Sequence, residues 1–180
     1  YGVGLIGGFA GQIDKLIIVP ILGFSSLGNY GLALQVVALL MTFSTILFKY
    51  LLPQDSTGID NTGLKKIIIF VAIGITIFGM IVLPLIIPSI FPKYIEASSA
   101  IQIMALSIIP GTVEMIYSSK ILASEKSKFV LIAGLISLTI LTLGMIILGL
   151  NFGAQGVAIA FVLAISAKAT FLVCANRIIK

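Results

Sequence analysis

The chain has 180 residues, 59% of them hydrophobic and only 9% charged, whereas a soluble domain usually spends about a quarter of its residues on charge. That balance excludes a water-soluble fold with an ordinary polar surface and leaves a membrane composition. With no His, no Trp and a single cysteine, Cys174, intrachain disulfides and the usual metal-ligand sets are excluded too, and a net charge of +5 spread along the chain forms no nucleic-acid patch.

Six apolar spans follow one another, at about 1–22, 29–52, 65–91, 97–119, 129–150 and 154–176, each near the roughly 20 residues that carry a helix across a hydrocarbon core of about 30 Å. The first lacks the basic n-region and cleavage site of a secretory leader and reads as a membrane helix, whose start or a preceding half is expected upstream. Gly4, Gly8 and Gly11 lie on one face of it, and the next member of that row is Lys15; Gly7 and Gly11 lead in the same way to Asp14. In lipid, helices pack closely through small residues, so this charged pair continues a packing face. Adjacent helical residues point about 100° apart, so Asp14 and Lys15 each need a partner elsewhere.

GFSSLGN reads as the connection to the second span, and PQDSTGIDNTGL, the longest polar segment, as the connection to the third. Pro84, Pro88 and Pro92 share one face at the end of that third span. Each lacks an N–H, and termination of a long helix and a functional hinge are both open there. Past FPKYIE, the fourth span sets Ser107, Gly111, Glu114 and Ser118 along one face. KILASEKSK and NFGAQG precede the fifth and sixth spans, and in the last Gly156, Ala160 and Ala164 lead at four-residue spacing to Lys168.

Basic residues gather on alternate connections: Lys49, Lys65, Lys66, Lys120, Lys126, Lys128, Arg177 and Lys180 on one side, Lys93 alone on the other. The asymmetry predicts that both ends of this segment face the cytoplasm. The architecture expected is therefore all-α, a polytopic six-helix transmembrane bundle. Buried helices of a soluble protein would need polar outer faces, which spans such as LIAGLISLTILTLGMIILGL do not have.

A charge at membrane depth costs at least about 2.5–3.5 kcal/mol on insertion scales, so Asp14, Lys15, Glu114 and Lys168 are the candidates for a substrate or ion pathway. Plainer roles stand beside this one. Lys168 lies about 12 Å from the inner end of its helix, within partial reach for snorkelling, and Glu114 is near enough to its own inner end to meet Lys120 or cytoplasmic water. Gln12, Tyr30, Gln35, Gln102 and Tyr117 read as ordinary interhelical hydrogen bonders. No HExxH, GxSxG or P-loop pattern appears, the outer connections are short, and no enzyme activity or cofactor is expected.

IDKLIIVPILGFSSLGNYGLALQVVALLMTFSTILFKYLLPQDS, FPKYIEASSAIQIMALSIIP and NFGAQGVAIAFVLA resemble the C-terminal half of polysaccharide and lipid-linked oligosaccharide flippases, in the multidrug/oligosaccharidyl-lipid/polysaccharide exporter superfamily. The shared pattern is an Asp followed by a basic residue, an apolar stretch, LG, a G-x-Y-x-x-A helix start, an FP-x-Y-x-x-A outer edge and a G-x-x-G-x-A start to a later helix. The resemblance implies two six-helix lobes around a cavity that opens alternately to either side. This chain would supply one lobe, with the N-terminal lobe outside it. The implied partners are a lipid-linked saccharide and membrane lipid. Lys15 and Lys168 would be phosphate or saccharide contacts, and Asp14 and Glu114 their partners or proton or cation sites. A cation-coupled drug exporter of the same superfamily and a non-transporting scaffold for glycan assembly are the alternatives.

Overall fold

Glycine and proline decide where these helices break. The computed structural model describes the backbone of residues 2–56, 62–90, 92–94 and 97–179, and within them the side chains of 16–51, 53–54, 62–90, 92, 94 and 97–178. Among the described residues there are six α-helices, one 3-10 turn and no strand. They are α1 (Gly2–Ser56), α2 (Thr62–Ile81), α3 (Leu83–Ile90), the turn Pro92–Tyr94, α4 (Ala97–Ala105), α5 (Ile108–Ala123) and α6 (Ser127–Ile179). Three helices are long and apolar enough to cross a membrane, and a fourth is added when α4 and α5, bent by 43°, are taken as one broken span.

Straight, the 53 residues of α6 would run about 80 Å at 1.5 Å per residue, far more than a bilayer core. Gly153 interrupts them with φ 59° and ψ −139°, a conformation open in practice to glycine alone. The two arms fold back on each other there. On an unbroken helix Gly144 and Ala160 would lie about 24 Å apart, yet a Cβ placed on Gly144 would come within 2.9 Å of the Ala160 methyl. Nearer the bend, a Cβ on Gly149 would touch Val157, and one on Gly156 would collide with the carbonyl of Leu148. The spacing of small residues thus sets how closely the arms approach.

α1 is broken in the same way at Gly23, with φ 81° and ψ 175°. Both polar connections read from the sequence, GFSSLGN and NFGAQG, shrink to a single non-helical residue, and helix resumes directly after it. One glycine can reverse the chain, so no longer loop is required.

Proline accounts for the other two breaks. Pro110 offers no N–H to the carbonyl of Leu106, and α4 ends just there: Leu106 and Ser107 donate to the carbonyls of Ile103 and Met104 three residues back, at 3.1 and 2.9 Å. The Ser107 hydroxyl also donates to Met104, at 2.6 Å. Pro84 likewise leaves the carbonyl of Met80 without its helical donor, and the chain breaks at Val82, between α2 and α3. The side-chain amide of Gln102, on α4, donates to that carbonyl at 3.2 Å. A backbone group freed in lipid needs such a donor. The third and fourth spans are therefore each two helices, and α5 runs on to Ala123, into what the sequence suggested was loop.

The main core gathers Tyr30, Ala33 and Val37 of α1, Ala97, Ile101 and Met104 of α4, and Met145, Val157, Ala160 and Ala164 of α6. Ser44 of α1 and Thr112 of α5 share a buried hydroxyl hydrogen bond of 2.7 Å. Large apolar side chains such as Phe70, Ile77, Leu143 and Leu163 point outward, the reverse of a soluble bundle and the surface that lipid tails solvate.

Candidate functional site

Two of the small-residue faces read from the sequence lead to one point. Ser107, just before α5, and Gly111 and Ser118 on it are buried, and Glu114 lies between them. On α6, Gly156, Ala160 and Ala164 are buried, and Lys168 is the next residue in the row. Lys168 Nζ and Glu114 Oε1 are 2.8 Å apart, with 26% and 19% of their side chains exposed. Glu114 therefore meets Lys168 on a neighbouring helix, and not Lys120 one to two turns along its own.

The energetics of this pair lie between two limits. A fully exposed pair is worth about 0–1 kcal/mol, and a fully buried one repays its desolvation only with good geometry and further hydrogen bonds. At membrane depth the comparison that matters is with a lone charge, at about 2.5–3.5 kcal/mol, so each partner offsets much of the other's cost. Partial exposure leaves both heads reachable from outside the helix contact. One turn further along α5 the Ser118 hydroxyl is buried with no hydrogen-bond partner among the described residues.

Asp14 and Lys15 lie in the arm of α1 that precedes Gly23. Their side chains, and that of Gln12, fall outside the described residues. Of the remaining polar candidates, Gln102 serves the carbonyl that Pro84 frees, and Tyr117 packs against a cluster that includes Ile121 and Leu172. Tyr30 is buried in the main core, while Gln35 lines a hollow of about 410 Å³ with Gly28, Gly31, Leu32 and Tyr94.

A larger groove, of about 560 Å³, runs between α5 and α6, lined among others by Ile109, Val113, Ala169, Thr170, Val173 and Arg177. Val113 precedes Glu114 and Ala169 follows Lys168, and consecutive helical positions differ by about 100°. The groove and the ion pair thus occupy neighbouring sectors of the same two helices. Sequence reading missed this groove and the Ser44 to Thr112 bond, because neither has a local pattern: each is made by helices that meet only on folding.

No family model, no curated protein and no solved structure matches the chain.

Proposed function

We propose that this chain is one six-helix lobe of a flippase that moves a polyprenyl-linked saccharide across the cytoplasmic membrane by alternating access, with both ends of the segment cytoplasmic. The observation that supports this reading best is the Glu114 to Lys168 pair, two ionisable groups at membrane depth on different helices, held together yet partly accessible. A lysine so placed can exchange a carboxylate for the diphosphate of a lipid carrier with little change in its own desolvation. The exchange would free Glu114 and loosen α5 from α6, which is the kind of two-state contact that rocking between lobes uses. Lys15 and Asp14 would offer a second such pair of charges from α1.

The test separates a transport role from a packing role. Flipping of a fluorescent lipid-linked saccharide is measured in vesicles holding the full-length protein, with the Glu114→Gln and Lys168→Gln variants and the charge-swapped Glu114→Lys/Lys168→Glu double variant. Each single change should lower the rate at least tenfold while insertion and abundance hold. The swap restores the ion pair and the thermal stability but leaves the phosphate contact on the wrong helix, so flipping should stay low. Recovery of flipping in the swap would make the pair structural only. An inert unmodified protein would favour a scaffold, and export of cationic dyes a drug exporter.

A further inference from the structure

The groove between α5 and α6 has a chemical polarity along its length that the transport reading does not use. Its walls are apolar: Ile109 and Val113 on one side, Ala169 and Val173 on the other. The Thr170 hydroxyl donates to the carbonyl of Ser166 at 2.8 Å and so offers the groove little polarity. One charge lies at one end, Arg177, and no carboxylate pairs with it among the described residues. Lys120 follows Val113 by seven residues, two turns further along the same face of α5, and is half-buried. Glu114 beside Lys168 and Gly111 beside Ile165 show that α5 and this arm of α6 run parallel, so Lys120, outside the groove's own lining, lies toward its Arg177 end.

The dimensions fit one leaflet. From Ser166 to Arg177 the α6 wall rises about 16 Å at 1.5 Å per residue, and half of a hydrocarbon core of about 30 Å is about 15 Å. With Arg177 set at the level of the headgroup phosphates, the apolar walls match the depth of one acyl chain. The rim is open: Leu106, Thr170 and Cys174 are exposed.

We propose that this groove binds one anionic phospholipid of the leaflet at the Arg177 end, an acyl chain lying along Ile109, Val113, Ala169 and Val173 and the phosphate held by Arg177 and Lys120. A guanidinium presents a planar fork that matches two phosphate oxygens, and an ammonium adds a point charge. The mainly apolar walls suit an acyl chain better than a sugar or a peptide, and a chain ending in a phosphate matches both the walls and the Arg177 end of the groove. The proposal requires only that α5 and α6 cross a membrane, and it is independent of flipping.

The chain has no Trp, so Thr170→Trp places a single tryptophan, excited apart from the tyrosines, at the rim of the groove, and Leu143→Trp one on an exposed position of α6. The full chain carrying either change is held in phosphatidylcholine vesicles with small mole fractions of brominated phosphatidylglycerol or brominated phosphatidylcholine. At position 170, the anionic quencher should act at about five- to tenfold lower mole fraction than the zwitterionic one, and at 143 the two should act alike. Adding Lys120→Gln and Arg177→Gln should abolish the preference at 170. Equal quenching at 170 by the two lipids, or a preference that survives loss of both cations, overturns the assignment. So does quenching at 143 with none at 170, which would mean that protein covers the groove, and so does displacement of the brominated lipid by equimolar polyprenyl phosphate. If Thr170→Trp fails to fold, a bimane on Cys174, the one thiol of the chain, reads the same groove.

Discussion

α1 and α6 are alike on paper: each exceeds fifty residues, each is apolar along its length, and each is interrupted at one glycine with helix-forbidden angles. What holds the bend differs. In α6 the arms press on each other through Gly144, Gly149 and Gly156, and a Cβ on Gly156 would strike the backbone of Leu148. In α1 the glycines after the bend make no such contact, since a Cβ on Gly28 would meet only the Tyr94 ring, at 3.5 Å, and one on Gly31 nothing. Both arms of α1 enter the shared core, through Ile18 and through Tyr30 and Val37, and Ser44 bonds to Thr112. Among the described residues, the same local break thus carries close glycine contacts between the arms in α6 and none at the glycines after the bend in α1.

The difference is open to direct attack. Gly156→Ala should be the most damaging change, about 3 kcal/mol, because backbone must move to admit the methyl group. It would appear as a large loss of the folded fraction in an SDS titration of the detergent-solubilised protein. Gly23→Ala meets nothing in space and should cost only its backbone strain, about 1–2 kcal/mol. A loss at Gly23 equal to that at Gly156 would mean that strain at the bend alone costs as much as the backbone collision between the arms of α6. Gln102→Leu probes a third kind of break, one repaired from a distant helix, and should cost about 1 kcal/mol by leaving the Met80 carbonyl without its donor. The loss should vanish when Pro84→Ala restores the helical N–H, a coupling that a double-mutant cycle in the same titration reads directly.

Much of this was legible in the sequence. The all-helical membrane class follows from composition, and helix breaks fall beside Gly23, Pro84 and Gly153, which the sequence marked as connections or missing donors, while Pro20 and Pro88 lie inside helices. The small-residue rows ending at Glu114 and Lys168 were also visible, since a four-residue spacing puts residues on one face whatever surrounds the helix. The exact form of the breaks was less so. Serines and asparagine around Gly23 and Gly153 suggested loops, yet helical backbone bonds continue through them on either side of a single residue.

By itself, then, the sequence determined what is local: helicity, the length of the apolar runs, the points where a backbone donor is missing or a positive φ is needed, and the face on which each charge lies. Tertiary structure alone decided which faces meet. Glu114 has Lys120 near it in sequence but pairs with Lys168, Gln102 finds the carbonyl that Pro84 abandons, and α5 and α6 leave between them a groove with Arg177 at one end. The reason is physical. Hydrogen bonding within a helix is fixed by the residues of that helix, whereas an ion pair, a repaired carbonyl or a groove depends on the distance and rotation between helices, which the packing of the whole bundle sets at once.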